Sequence, residues 1–152
     1  MTRITDSIGR GLVAGLAGTA AMTASSTLEA RWRGRAPSSA PARATAKVLG
    51  IEGFETPLAE ARFNDLSHWG YGTGWGVVRG LLGATRMSPR AATIAHGAAL
   101  YGTEQVTLPA LEVAPPAIFW GAREIAIDAF HHAVYATATG LAYRLVAGAR
   151  TP

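Results

Sequence analysis

The chain has 152 residues, 49% of them hydrophobic and only 16% charged, against about 25% charged in an ordinary soluble domain. That length fits a single domain, frequent apolar runs exclude a disordered chain, and the lack of Cys excludes disulfides, thiol catalysis and Cys-ligated zinc. The net charge of +4 is carried almost wholly by Arg, with Lys47 the only lysine, and it falls at the edges of apolar segments rather than in one stripe, so no nucleic-acid partner is expected.

Four apolar segments follow one another, at about 11–28, 68–84, 91–108 and 122–147. Each has about the 17–25 residues needed to cross a hydrocarbon core, and arginines bracket them: Arg10, Arg31, Arg86, Arg90, Arg123 and Arg150. The first segment also has the basic flank and small residues of a signal peptide, Arg3, Arg10, Ala20 and Ala21. Three later segments of the same character favour a membrane helix. Against this stands a mean hydropathy of only +0.17, with Arg79, Glu104 and Asp128 inside segments two, three and four. A compact soluble helical bundle is the alternative. Glycine weighs against it: Gly70, Gly72, Gly74, Gly76 and Gly80 would each cost about 0.8–1.0 kcal/mol in a water-exposed helix. Gly11/Gly15, Gly70/Gly74, Gly72/Gly76 and Gly76/Gly80 have the spacing that lets membrane helices approach closely.

Between segments one and two, residues 29–67 read as a loop with Arg31, Arg33, Arg35, Pro37 and Pro41, then Glu52, Glu55, Glu60 and Asp65. Residues 42–49 within it have the spacing of a surface helix. Pro89 sits in a short turn before segment three, and Pro109, Pro115 and Pro116 separate segments three and four. Lys and Arg divide almost evenly between the two sides, so orientation leans only on the short basic segments, which place both termini in the cytoplasm. Trp32, Trp69 and Trp120 are expected at one interface as an aromatic belt.

Polar residues inside the segments mark the candidate site. At about 100° per residue, Glu124, Asp128, His131, Tyr135 and Thr139 share one face of segment four, with His132 at its border and Phe130, Val134 and Leu141 pointing away. Segment three adds His96, Thr103 and Thr107 on one face, with Glu104 beside it. Segment two adds His68, Trp75 and Arg79, the last two four residues apart and within cation–π reach. Such a stripe is too costly to face lipid and must face a bundle interior or a wet cavity. An ion-pair network that only fixes packing explains it, with Arg79 paired to Glu104, Glu124 or Asp128. So does a proton relay or small-solute site.

No catalytic residue, metal set or cofactor is assigned. Asp128-x-x-His131 is half of a carboxylate-bridged two-metal pattern, but the second half is missing. A haem between His96 and His131 or His132 rests on histidines alone. Walker, Rossmann, nucleophile-elbow and HExxH motifs are absent, and the Gly70–Gly76 run lies inside an apolar segment rather than after a strand. His68-x-x-Tyr71-x-Thr73-x-x-Gly76 and His132-x-x-Tyr135-x-Thr137-x-x-Gly140 share one pattern, which suggests a parallel duplication as in some transporters.

The stretch 114–137 carries Pro115, Pro116, Trp120, Glu124 and His131 or His132. In this arrangement it resembles the YagU-like family of uncharacterised small bacterial inner-membrane proteins. The resemblance covers about one sixth of the chain, implies an integral membrane protein and supplies no activity. The expected architecture is therefore all-α: a four-helix transmembrane bundle with Gly-rich close packing, in one domain over 1–152. The expected location is multi-pass in the cell membrane. The expected partners are the lipid bilayer and either a second copy of the chain or a membrane partner protein.

Overall fold

The computed structural model describes residues 2–148; Met1, Arg150 and Pro152 lie outside the described residues, as does the side chain of Arg3. The described residues are helical without strands: α1 (Thr2–Arg33), α2 (Ala40–Leu49), α3 (Pro57–Gly83), α4 (Pro89–Ala110) and α5 (Ala122–Gly148), with a 3₁₀ turn at Ala117–Phe119 before α5. The stretch read as a loop over 29–67 is mostly helix. Thr56 caps α3, its hydroxyl accepting from the Ala59 N–H at 3.1 Å, and Pro57 occupies the first turn, where its missing N–H costs nothing. That signal lies eleven residues before the apolar run, so α3 begins with an exposed polar turn that hydropathy alone does not reveal. Ser88 and Pro89 start α4 in the same way. The surface helix expected at 42–49 is α2, ended by Gly50 in the left-handed region at φ 67°.

The four long helices lie side by side. α1 runs antiparallel to α3: Gly11 packs on Gly76 and Gly80, Gly15 on Thr73 and Gly76, and Thr19 on Gly72. It is also antiparallel to α5, with Gly18 against Tyr135 and Thr139. α4 runs antiparallel to α5 through Thr93 on Gly140 and Gly97 on Ala136. α3 and α5 are thus parallel to each other. The glycines at these crossings admit backbone-to-backbone approach, and a Cβ at Gly11 or Gly76 would run into the facing chain. Gly70 and Gly74 meet nothing, so that pair does not pack within the chain.

At its extremes the distribution of side chains is inverted relative to a water-soluble domain, although Leu100, Leu108, Val113 and Tyr143 are buried as well. The largest fully buried side chains are Arg79, Tyr135, His96, Thr19 and Thr139. Leu12, Val13, Leu16, Leu81, Ile94, Val106, Phe130, Leu141 and Leu145 stand exposed on the outside. Soluble proteins bury Leu, Ile and Phe first and rarely expose contiguous apolar faces. Among the described residues α1 alone is long and apolar enough to cross a membrane by length and composition; α3, α4 and α5 are diluted by Gly, Thr and His.

Candidate functional site

A cleft of about 1040 Å³ runs between the helices, roofed in part by Pro41, Thr45 and Val48 of α2. It gathers most of the residues singled out from sequence: His68, Glu104, Glu124, Asp128, His131, His132 and Tyr135. The carboxylates of Asp65, Glu104, Glu124 and Asp128 line it against one guanidinium, that of Arg35. The lining therefore favours cations.

The histidines are oriented by named partners. His68 Nε2 lies 2.8 Å from Thr23 Oγ1, whose own hydroxyl donates to the Thr19 carbonyl; the imidazole is therefore the donor. His131 Nδ1 meets Ser25 Oγ at 2.9 Å, and its Nε2 stands 3.8 Å from the Glu29 carboxylate. His132 Nδ1 donates to the Asp128 carbonyl oxygen at 2.9 Å. A neutral ring held this way turns its Nε2 lone pair outward. In the structure Nε2 lies 2.6 Å from Glu104 Oε2, an ion pair when the ring is protonated, while Asp128 Oδ1 lies 3.6 Å from His132 Nδ1. Deeper in, Tyr135 donates to the Gly72 carbonyl at 2.6 Å, linking α5 to α3 at the floor of the cleft.

One end of the cleft is closed by ion pairs that the sequence reading did not include. Arg33 bridges Glu29 at 3.0 Å and Glu124, and Arg35 also binds Glu29. The Arg35 hydrogen bond, with Arg33 beside it, holds the Glu29 carboxyl down at about 2. Glu124 is thus half-exposed at the mouth and tied to α1, rather than continuing the interior stripe with Asp128. The signal available beforehand was an i, i+4 acid–base pair, Glu29 and Arg33, at the end of the first apolar segment.

Two expected members stand apart. His96 is fully buried, donating Nε2–H to the Trp75 carbonyl at 3.0 Å, and does not line the cleft. Arg79 makes no ion pair among the described residues. Its guanidinium lies over the Tyr143 ring, 4.2 Å from the centroid, with Nε and Nη1 lacking hydrogen bonds. The expected pairing with Glu104, Glu124 or Asp128 is corrected by depth. Gly72 is level with Tyr135, so Arg79 is level with residue 142, and Asp128 stands about 20 Å further along α5 at 1.5 Å per residue. The expected cation–π partner, Trp75, instead engages Tyr71 and His96. Compared with known proteins, the chain matches no family model, no curated protein and no solved structure.

Proposed function

We propose that the chain is a four-span membrane protein whose interior cleft admits protons or a small cationic solute and conducts them across the bilayer. The inverted distribution of side chains carries this reading. Residues 11–28 contain no charge, residues 66–83 only Arg79, 91–108 only Glu104 and 125–143 only Asp128. Arg79 is fully buried, and Glu104 and Asp128 turn toward His132. Each charge inside a span is thereby kept from lipid, as the cost of about 2.5–3.5 kcal/mol at a helix centre demands, and the outside is left apolar. The low hydropathy of three of the spans follows from placing their polar residues inward. The acidic lining and the oriented histidines favour cations, and histidine–carboxylate chains are the usual means of moving protons through such interiors.

A second reading has its own observation. Arg33 binds Glu29 and Glu124 at once and so ties α1 to α5, as an accessory subunit with only structural ion pairs would require. Reconstitution separates the two. Liposomes carrying the protein and a pH-sensitive dye inside are given a proton gradient with a potassium–valinomycin countercharge. Conduction predicts dye response above empty liposomes, reduced by Asp128→Asn with the fold intact. A response equal to empty liposomes removes the conduction reading in favour of the structural one.

A further inference from the structure

Glu104 and Asp128 come from different helices and meet His132, one turn from Asp128, within the cleft. One ligand atom from each of the three lies within 4.8 Å of the other two. Adjacent ligands of an ion with bonds of 2.0–2.2 Å stand about 3–4 Å apart, so a single ion can reach all three once the Glu104–His132 contact of 2.6 Å opens to that spacing. The spacing Glu104…Asp128-x-x-x-His132 matches no sequence motif, and only the antiparallel packing of α4 on α5 assembles it.

The hydrogen bonding supplies an independent argument. His132 is a mostly buried ring whose Nδ1–H is fixed on the Asp128 carbonyl oxygen. This is the second-shell bond that metal-ligating histidines usually make, and it leaves Nε2 as the ligand atom. Facing it, Glu104 Oε2 is buried 2.6 Å away, a contact that needs either a proton on His132 or a cation between the two groups. Asp128 Oδ2 is also buried, without a hydrogen bond among the described residues. Two carboxylates and one imidazole thus share one small space. A proton placed on His132 would answer Glu104 and leave Asp128 Oδ2 bare. A dication answers all three and cancels the two carboxylate charges in a place where uncompensated charge is costly.

We propose that Glu104, Asp128 and His132 bind one divalent transition-metal cation. Two carboxylates and one imidazole suit a borderline ion such as Mn²⁺, Fe²⁺, Co²⁺ or Zn²⁺ over Ca²⁺, which takes six to eight oxygens. The remaining positions open to the cleft, where there is room for water or a further ligand. The proposal rests on the reading of the cleft as a site that solutes enter, but not on conduction.

The test uses the full chain in detergent, stripped with a chelator and titrated with Co²⁺, with binding read from the visible spectrum and from metal content after gel filtration, and with Zn²⁺ as competitor. The expected result is one Co²⁺ per chain, displaced by Zn²⁺, with affinity lowered at least 10-fold in both Glu104→Gln and Asp128→Asn and unchanged in Glu29→Gln. Circular dichroism of each variant confirms the fold, and the wild-type stoichiometry stands regardless of how the variants behave. Absence of stoichiometric binding by the wild type overturns the proposal, as does equal binding by Glu104→Gln. Binding without proton flux leaves the site standing and removes conduction; flux without binding removes the site and leaves conduction.

Discussion

Two glycines on α3, two residues apart, should respond in opposite directions to the same change. Gly76 faces α1, where an added Cβ would be driven into the Gly11 carbonyl and would lie 2.9 Å from the Gly15 Cα. Both obstacles are backbone, so no side chain can rotate aside, and the cost belongs near the top of the 1–3 kcal/mol range for overpacking, about 3 kcal/mol. Against this, Ala gains about 0.8–1 kcal/mol over Gly in helix propensity. Gly76→Ala should therefore destabilise by about 2 kcal/mol. Gly74 meets nothing, so Gly74→Ala keeps the propensity gain of about 1 kcal/mol with no packing cost. The difference of about 3 kcal/mol corresponds to about 6–12 °C in Tm for a chain of this size. Thermal unfolding in detergent, followed by circular dichroism at 222 nm, measures it. Equal Tm values for the two variants would refute the backbone-to-backbone crossing of α1 and α3.

Arg79→Met should couple to Tyr143→Leu by about 1–2 kcal/mol in a double-mutant cycle, because the guanidinium lies on that ring. With Asp128→Asn it should be additive within about 0.5 kcal/mol, given their separation along the bundle; strong coupling between Arg79 and Asp128 would return the charge pair that the structure excludes. Glu29 should make stability acid-sensitive. Its carboxyl is held below its ordinary value of 4.5, at about 2, so its contribution is fully present above pH 4.5 and is lost as pH falls toward 2. A Tm series from pH 7 to 2 should fall more steeply below pH 4.5 for the wild type than for Glu29→Gln, and parallel curves would contradict the Arg33–Glu29–Arg35 linkage.

The sequence made faces legible and depth illegible. The 100° periodicity placed His131, Tyr135 and Thr139 together on the inner face of α5, with Phe130 and Leu141 outside, and the structure has them buried and exposed accordingly. The same periodicity put Arg79 on an inner face of α3, where it is fully buried. Periodicity does not say how far along a neighbouring helix a residue sits. Arg79 and Asp128 are therefore both interior yet near opposite ends, and a pairing inferred from burial alone fails. The start of α3 at Pro57 was written in Thr56-Pro57 but masked by the polar turn that follows. Glu104 and His132 are 28 positions apart in sequence, and only the registration of α4 against α5, set by Gly97 on Ala136 and Thr93 on Gly140, brings them within 2.6 Å.

The central claim is that the apolar outside of the helices faces lipid. Because the chain has no Cys, single cysteines can be placed at Leu16 and Phe130, both about half-exposed on the outer faces, and at Ser38, exposed between α1 and α2. The variants are reconstituted into vesicles opened by freeze–thaw and treated with a charged, membrane-impermeant maleimide. Labelling at Ser38→Cys is expected to be fast, and labelling at Leu16→Cys and Phe130→Cys absent until the vesicles are dissolved and the protein denatured. Labelling of Leu16→Cys and Phe130→Cys in vesicles at the rate of Ser38→Cys would put those faces in water and contradict the account.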